Sequence, residues 1–199
     1  MGPRRLWTGA PPGRNPFALP RGLSGRLAGR IMARANRDRN AELLDWLDVR
    51  AGTRVLEVGC GPGVLVELLA RRPGVAVTAV DPSDEMVAMA RRRNARALRS
   101  GRVRIHRGDA AATGVGDGRA DLAVSVNTVA MWPSLDDGMA ELHRVLRSGG
   151  RAVVAWHRRP TRFALAEEEL STVEKALATR FGTAERTLLH GSVVFAAVK

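Results

Sequence analysis

From residue 54 onward, short apolar runs alternate with stretches in which apolar residues return every third or fourth position. The runs RVLEVG, VAVTAVD, VRIHRGDA, ADLAVSVN and RAVVAWH have the length and β-branched content of buried strands. Between them, GVLVELLARR, SDEMVAMARRRNARAL and LDDGMAELHRVLRS have the period of helices. The second is capped by Ser83 and the third ended by Gly149 and Gly150. Strand and helix in alternation make βαβ units, so the pattern predicts a parallel sheet with helices on its faces. A last helix, ALAEEELSTVEKALATRF, is followed by ERTLLH and SVVFAAVK, separated by Gly191, which predicts a closing hairpin. The expected fold class is thus α/β and doubly wound: a mostly parallel seven-stranded sheet with a final antiparallel strand and N-terminal helices.

Ahead of this pattern, residues 1–20 show no period and are rich in Pro, Gly and Arg, so a flexible leader is expected. They lack the apolar core of a secretion signal, and Leu6 stands where an N-myristoylation site needs Ser or Thr. Residues 21 to 49 read as two helical segments joined near Asn36, which suits an N-cap. In the first, Leu23, Leu27 and Ile31 recur every fourth residue beside Arg26, Arg30 and Arg34, and Gly25 and Gly29 permit close backbone approach. Such a cationic amphipathic helix suits three uses: packing on the main domain, a lid over a substrate pocket, or weak contact with an anionic membrane surface. The expected organisation is a leader over 1–20, an N-terminal helical segment over 21–39, and one main domain over 40–199.

Composition narrows the picture. A chain of 199 residues folds most simply as one domain, burying about 70% of its extended surface. No apolar run approaches the roughly 18 residues that a membrane-spanning helix needs, so a soluble, cytoplasmic protein is expected. A single cysteine, Cys60, excludes an intramolecular disulfide; between glycines it reads better as a small apolar residue than as a thiolate. The net charge of +12 invites a nucleic-acid partner, but the basic residues are nearly all Arg and are scattered through every segment. With no Tyr and few Phe or Trp, the chain is poor in platforms on which bases stack, which disfavours nucleic acid.

The stretch VLEVGCGPG, residues 55–63, ends an apolar strand on three alternate glycines, Gly59, Gly61 and Gly63, with Glu57 two residues before the first. In an open parallel sheet, ligands bind beyond the carboxyl ends of the strands. Glycines there remove the β-carbons that would hold a ligand away from the main chain, and the following helix offers free N–H groups. The spacing is not the G-x-G-x-x-G of dinucleotide enzymes, and no G-K-[ST] P-loop is present. The absence of Tyr argues against short-chain dehydrogenases, which use a catalytic Tyr. Asp81, closing the second strand, suits ribose hydroxyls under either reading.

VLEVGCGPG resembles motif I of the class I S-adenosylmethionine-dependent methyltransferases. The segments AVD ending at Asp81, GDA at 108–110, DLAVSVNTVAMW and RVLRSGGRAVVA fall where that family has its successive strand-end motifs. The likeness covers residues 40–199 and is nearest the small type 11-like subgroup, which resembles enzymes acting on metabolites and lipids. It implies a Rossmann-like fold, S-adenosyl-L-methionine as cofactor, and methyl transfer to a small, fairly apolar acceptor. It further implies that Glu57, Gly59, Gly61 and Gly63 line the methionyl part and that Asp81 holds the ribose, with Cys60 and Pro82 beside them. Met86 would pack on the adenine edge, Asp109 and the Ala110 main chain would read the adenine amino group, and Asn127 would lie beside the reacting methyl.

Methyl transfer from a sulfonium is an in-line displacement, in which alignment can contribute about 7–11 kcal/mol and a general base is optional. If a base is used, His157 is the candidate, since it ends a strand and can titrate near neutrality. His106 and His143 read as structural and His190 stays open. Trp132 suits either a substrate-pocket wall or packing. The chain has NTVAMW where amino-directed adenine and glutamine enzymes carry [N/D]-P-P-[Y/F], and Asn127 where metal-dependent catechol enzymes carry Asp, so no metal is expected. Two other functions stay open: an RNA methyltransferase, and a cofactor-binding partner protein without activity.

Overall fold

A computed structural model describes residues 36–159, 161 and 164–199. The leader and the cationic helix, residues 21–35 of the N-terminal segment expected over 21–39, lie outside the described residues. Asn36, expected as an N-cap, is already helical, within a helix over 36–47, here α1. The chain falls into two compact units, one ending at Asp109 and one running from Ala110 to Lys199.

In the first unit, β1 (Arg54–Val58), β2 (Ala76–Asp81) and β3 (Val103–Arg107) pair in parallel in the order β3-β2-β1. Their inward residues, among them Val55, Leu56, Val77, Val80 and Ile105, are buried almost completely, as strands covered on both faces require. Helix α2 (Val64–Ala70) follows β1, and α3 (Asp84–Arg93) follows β2 with the expected Ser83 cap, whose hydroxyl accepts from Met86 N at 3.4 Å. Helix α1 buries Asn40, Leu43, Leu44 and Leu47 on one face and reaches α2 through Arg37–Glu67 at 3.5 Å. The helix expected over 83–98 is two: α3 stops at Asn94 and α4 (Ala95–Arg99) restarts after it. Asn94 is 4% exposed, and its side-chain amide donates to Ala90 O at 2.9 Å and Gly63 O at 3.1 Å. The break therefore trades helical regularity for a buried tie to the glycine loop.

In the second unit, β4 (Ala120–Val126) and β5 (Leu146–His157) are parallel, and β7 (Ser192–Val198) runs antiparallel to both β5 and β6 (Glu185–Leu188), in the order β4-β5-β7-β6. The expected closing hairpin is β6–β7, with β7 as the antiparallel strand. Helix α5 (Leu135–Val145) precedes β5 and α6 (Glu167–Phe181) follows it. The seven strands and their alternating helices make this the expected Rossmann-like α/β class. The expectation that α5 runs on to Gly149 fails. It ends at Val145, and the fully buried Leu146 is already extended. Residues 147–150 bulge out of the β4–β5 register, and Lys199 secures the bulge: Gly149 N donates to its carbonyl at 2.8 Å and its own N–H to Gly150 O at 2.9 Å. That partner lies far along the chain, so local period could not reveal it.

Loop 111–117 hangs on α5 through one carboxylate. Glu141 is buried, and its Oε1 accepts from Thr113 N at 2.9 Å, Thr113 Oγ1 at 2.6 Å and Arg144 Nη2 at 2.7 Å, while Oε2 accepts from Arg144 Nε at 2.7 Å. Arg144 also donates to Val115 O at 2.6 Å and to Asp117. Burial raises the Glu141 carboxyl, but the hydrogen bonds from Arg144 and Thr113 together outweigh it and hold its pKa below the usual value. Glu141→Ala leaves the buried Thr113 groups without an acceptor, and urea unfolding should show a loss of about 2–4 kcal/mol at neutral pH. Because the folded pKa is depressed, this contribution is full above the ordinary carboxylate range and fades as pH falls through the folded value. The gap between variant and wild type should therefore narrow below about pH 4.

Candidate functional site

At the carboxyl ends of β1 and β2, the loop 59–63 is held by strand β2. Gly59 N and Cys60 N both donate to Val80 O, at 2.8 and 3.0 Å, so the chain turns sharply away from β1. Asp81 then clamps the tip: its Oδ2 accepts from Gly61 N at 2.8 Å and its Oδ1 from Ser83 N at 2.9 Å. Asp81 is 7% exposed. Burial raises its carboxyl, and the two amide donors, Ser83 and Gly61, act against that rise.

Glu57 lies deeper, at 3% exposure, and its Oε2 has no hydrogen-bond partner. Burial first, then the charge of Asp81, pushes its carboxyl well above the usual range, with the Val66 amide partly offsetting. Cys60 is buried as well, and burial followed by the charges of Glu57 and Asp81 pushes its thiol up, away from a thiolate. An acid that deep with a bare oxygen is ready for a cationic or hydrogen-bonding ligand group.

The glycines divide by purpose. Both Gly61 and Gly63 have positive φ, at 51° and 75°. A β-carbon on Gly61 would meet nothing within 4 Å, so the loop tip presents open backbone. One on Gly63 would lie 2.8 Å from Ala90 Cα, Ala90 Cβ and Asn94 Nδ2, so this glycine serves the close packing of α3. Arg93 braces the loop from outside, its Nε donating to Pro62 O at 2.9 Å. Arg93 and Asn94 were not legible as site supports; the one signal was a lone Asn interrupting a run of Arg in a helical pattern. Met86 is 2% exposed on the first turn of α3, Pro82 is exposed, and Asp109, half-buried, closes this unit.

The second unit holds the other candidates. Ala110 is buried at its start. Asn127, just past β4, has φ of 58°, a left-handed conformation uncommon outside glycine that Asn tolerates best. Two hydrogen bonds hold it there: Asn127 N donates to Ala155 O at 2.9 Å, and its Oδ1 accepts from His157 N at 2.7 Å. His157 ends β5 and is 4% exposed. Trp132 is buried with its ring over Gly138, where a β-carbon would come within 2.3 Å of the indole, and its Nε1 donates to Thr128 Oγ1 at 3.1 Å. His143 packs edge-on to Phe181. The structure thus joins Glu57, Cys60, Gly61 and Asp81 in one cluster and Asn127 with His157 in another.

A model of the methyltransferase domain matches residues 55–150. The chain is 30% identical over 129 residues to the uncharacterized methyltransferase YdaC of Bacillus subtilis, covering 64% of this chain and 69% of that protein. It is 36% identical over 127 residues to a phosphatidylethanolamine N-methyltransferase of Cereibacter sphaeroides, covering 64% of this chain and 59% of that one. Among solved structures, a SAM-dependent methyltransferase from Aquifex aeolicus superposes with a TM-score of 0.71 at 16% identity, over 86% of this chain and 97% of that one.

The two glycines should separate in a stability measurement. Gly63→Ala forces a β-carbon into the backbone of α3 at unfavourable φ and should cost about 3 kcal/mol. Gly61→Ala meets open space and should cost only about 1 kcal/mol for its backbone conformation. Thermal melts showing equal losses would contradict this division.

Proposed function

Because the chain belongs to the class I S-adenosylmethionine-dependent methyltransferases, we propose that it methylates a small, fairly apolar metabolite or lipid-like acceptor, with the Glu57–Asp81 cluster holding the cofactor. One observation carries the cofactor assignment. The Asp81 carboxylate pulls the glycine loop onto β2 while Gly61 leaves its outer side open and Glu57 keeps a bare oxygen beneath. The residues fit the group. A carboxylate offers about four acceptor positions, of which Asp81 uses two on Gly61 and Ser83, leaving two for the hydroxyls of a ribose. Glu57 would take the amino-acid part, and Met86, Asp109 and the Ala110 main chain would attend the base.

When bound, the cofactor supplies a methyl group already activated on a sulfonium. What the chain contributes is alignment, with the loop fixed at its start by Gly59 N and Cys60 N on Val80 O and at its tip by Gly61 N on the Asp81 carboxylate. Asn127 is assigned to the acceptor side, and His157 is the general base where the acceptor carries a proton to lose. The lipid-like acceptor is supported by likeness to an enzyme named for phosphatidylethanolamine.

Asp81→Asn removes the charge and turns one of the two acceptors into a donor, so one of the contacts to Gly61 N and Ser83 N is lost with it, and calorimetry with S-adenosylhomocysteine should show affinity falling about 10- to 100-fold. With labelled cofactor and cell extract, label should enter the organic-soluble fraction; label in RNA instead would overturn the acceptor class. His157→Gln should lower kcat by about 10²–10⁴ while cofactor affinity stays within about twofold. Unchanged turnover across pH would remove His157 from the mechanism.

A further inference from the structure

The next step rests on the cofactor reading above and concerns the proton carried by its acidic pair. Glu57 and Asp81 sit at neighbouring strand ends, 3% and 7% exposed, and among the described residues neither takes part in an ion pair. Two buried carboxylates in one site cannot both keep their charge at low cost.

The surroundings decide which one yields. Asp81 has an amide donor on each oxygen, Gly61 N and Ser83 N, and such donors favour its anion. Glu57 has Oε2 bare and only the Val66 amide acting in favour of its charge. Among the described residues no cation compensates it. On β1 the charged neighbour is Arg54, at the opposite end of the strand. In the loop it is the Cys60 thiol, which stays protonated. On α2 it is Glu67, engaged by Arg37, Arg71 and Arg93. On α3, Arg93 is committed to Glu67 and to Pro62 O.

We propose that Glu57 carries a proton while the site is empty and releases it to receive the ammonium of the ligand's amino-acid part, so that each cofactor molecule taken up expels one proton. The balance is simple: the Glu57 O–H bond breaks, its proton goes to solvent, and the ammonium keeps all its hydrogens and donates one hydrogen bond to Oε2. Burial and the charge of Asp81 act on the carboxyl in the direction this requires.

The test is calorimetry on the full chain with S-adenosylhomocysteine, in buffers of different ionisation enthalpy, over about pH 6–8. Wild type should release close to one proton per ligand at the acid end of that range, with affinity rising by up to about tenfold per pH unit. Glu57→Gln should bind with no buffer-dependent heat and a flat pH profile. 5′-Methylthioadenosine, which has the nucleoside but no ammonium, should bind wild type without proton release, and this arm stands even if the variant does not fold. Uptake of S-adenosylhomocysteine with no proton released overturns the inference while leaving the cofactor reading intact. Full release by Glu57→Gln, or equal release with both ligands, overturns it as well. Failure to bind S-adenosylhomocysteine at all overturns the cofactor reading and this inference with it.

Discussion

The geometry of the candidate cofactor site depends on one carboxylate. Asp81 is the last residue of β2, and by accepting from Gly61 N and Ser83 N it fixes two turns at once, the glycine loop after β1 and the start of α3. A charged acceptor for two main-chain amides is stronger than neutral hydrogen bonds and has little freedom of orientation. Burial penalises that charge, and the two donors are what make it tolerable. The side chain proposed to grip the sugar is therefore also what shapes the loop, so structure and binding cannot be separated at this position.

Much of the fold was legible because the strands are buried on both sides. Val55, Leu56 and Val58, or Val77, Ala79 and Val80, form nearly continuous apolar runs bounded by glycine or polar residues, a signal that needs no tertiary information. The Ser83 cap was equally local. What escaped was set by partners distant in sequence. Helix α5 stops three residues early because Leu146 is drawn into the core and Lys199 fastens the bulge after it. The helix after β2 breaks at Asn94 because that side chain is claimed by Gly63, 31 residues away.

The site shows the same division. Glu57, Gly61 and Asp81 were readable because motif order places them at successive strand ends. The three glycines, however, looked alike in the sequence, and only packing distinguishes an open Gly61 from a Gly63 pressed on Ala90. Arg93 and Asn94 carried no motif at all, since their role is to hold the loop from behind. Chemistry that touches a ligand leaves a pattern along the chain, whereas support from a neighbouring helix leaves one only in three dimensions.

The contact of Gly63 with Ala90 also limits how this part of the protein can vary. A β-carbon at 63 would strike the Cα and the Cβ of Ala90 and the Nδ2 of Asn94, so trimming position 90 to glycine removes only one of the three conflicts. Compensation across the pair is thus unavailable, and position 63 becomes a point from which substitution has no short way out. Diversification around this loop must proceed through its open side, by changing what faces the ligand, while the seam against α3 stays as it is.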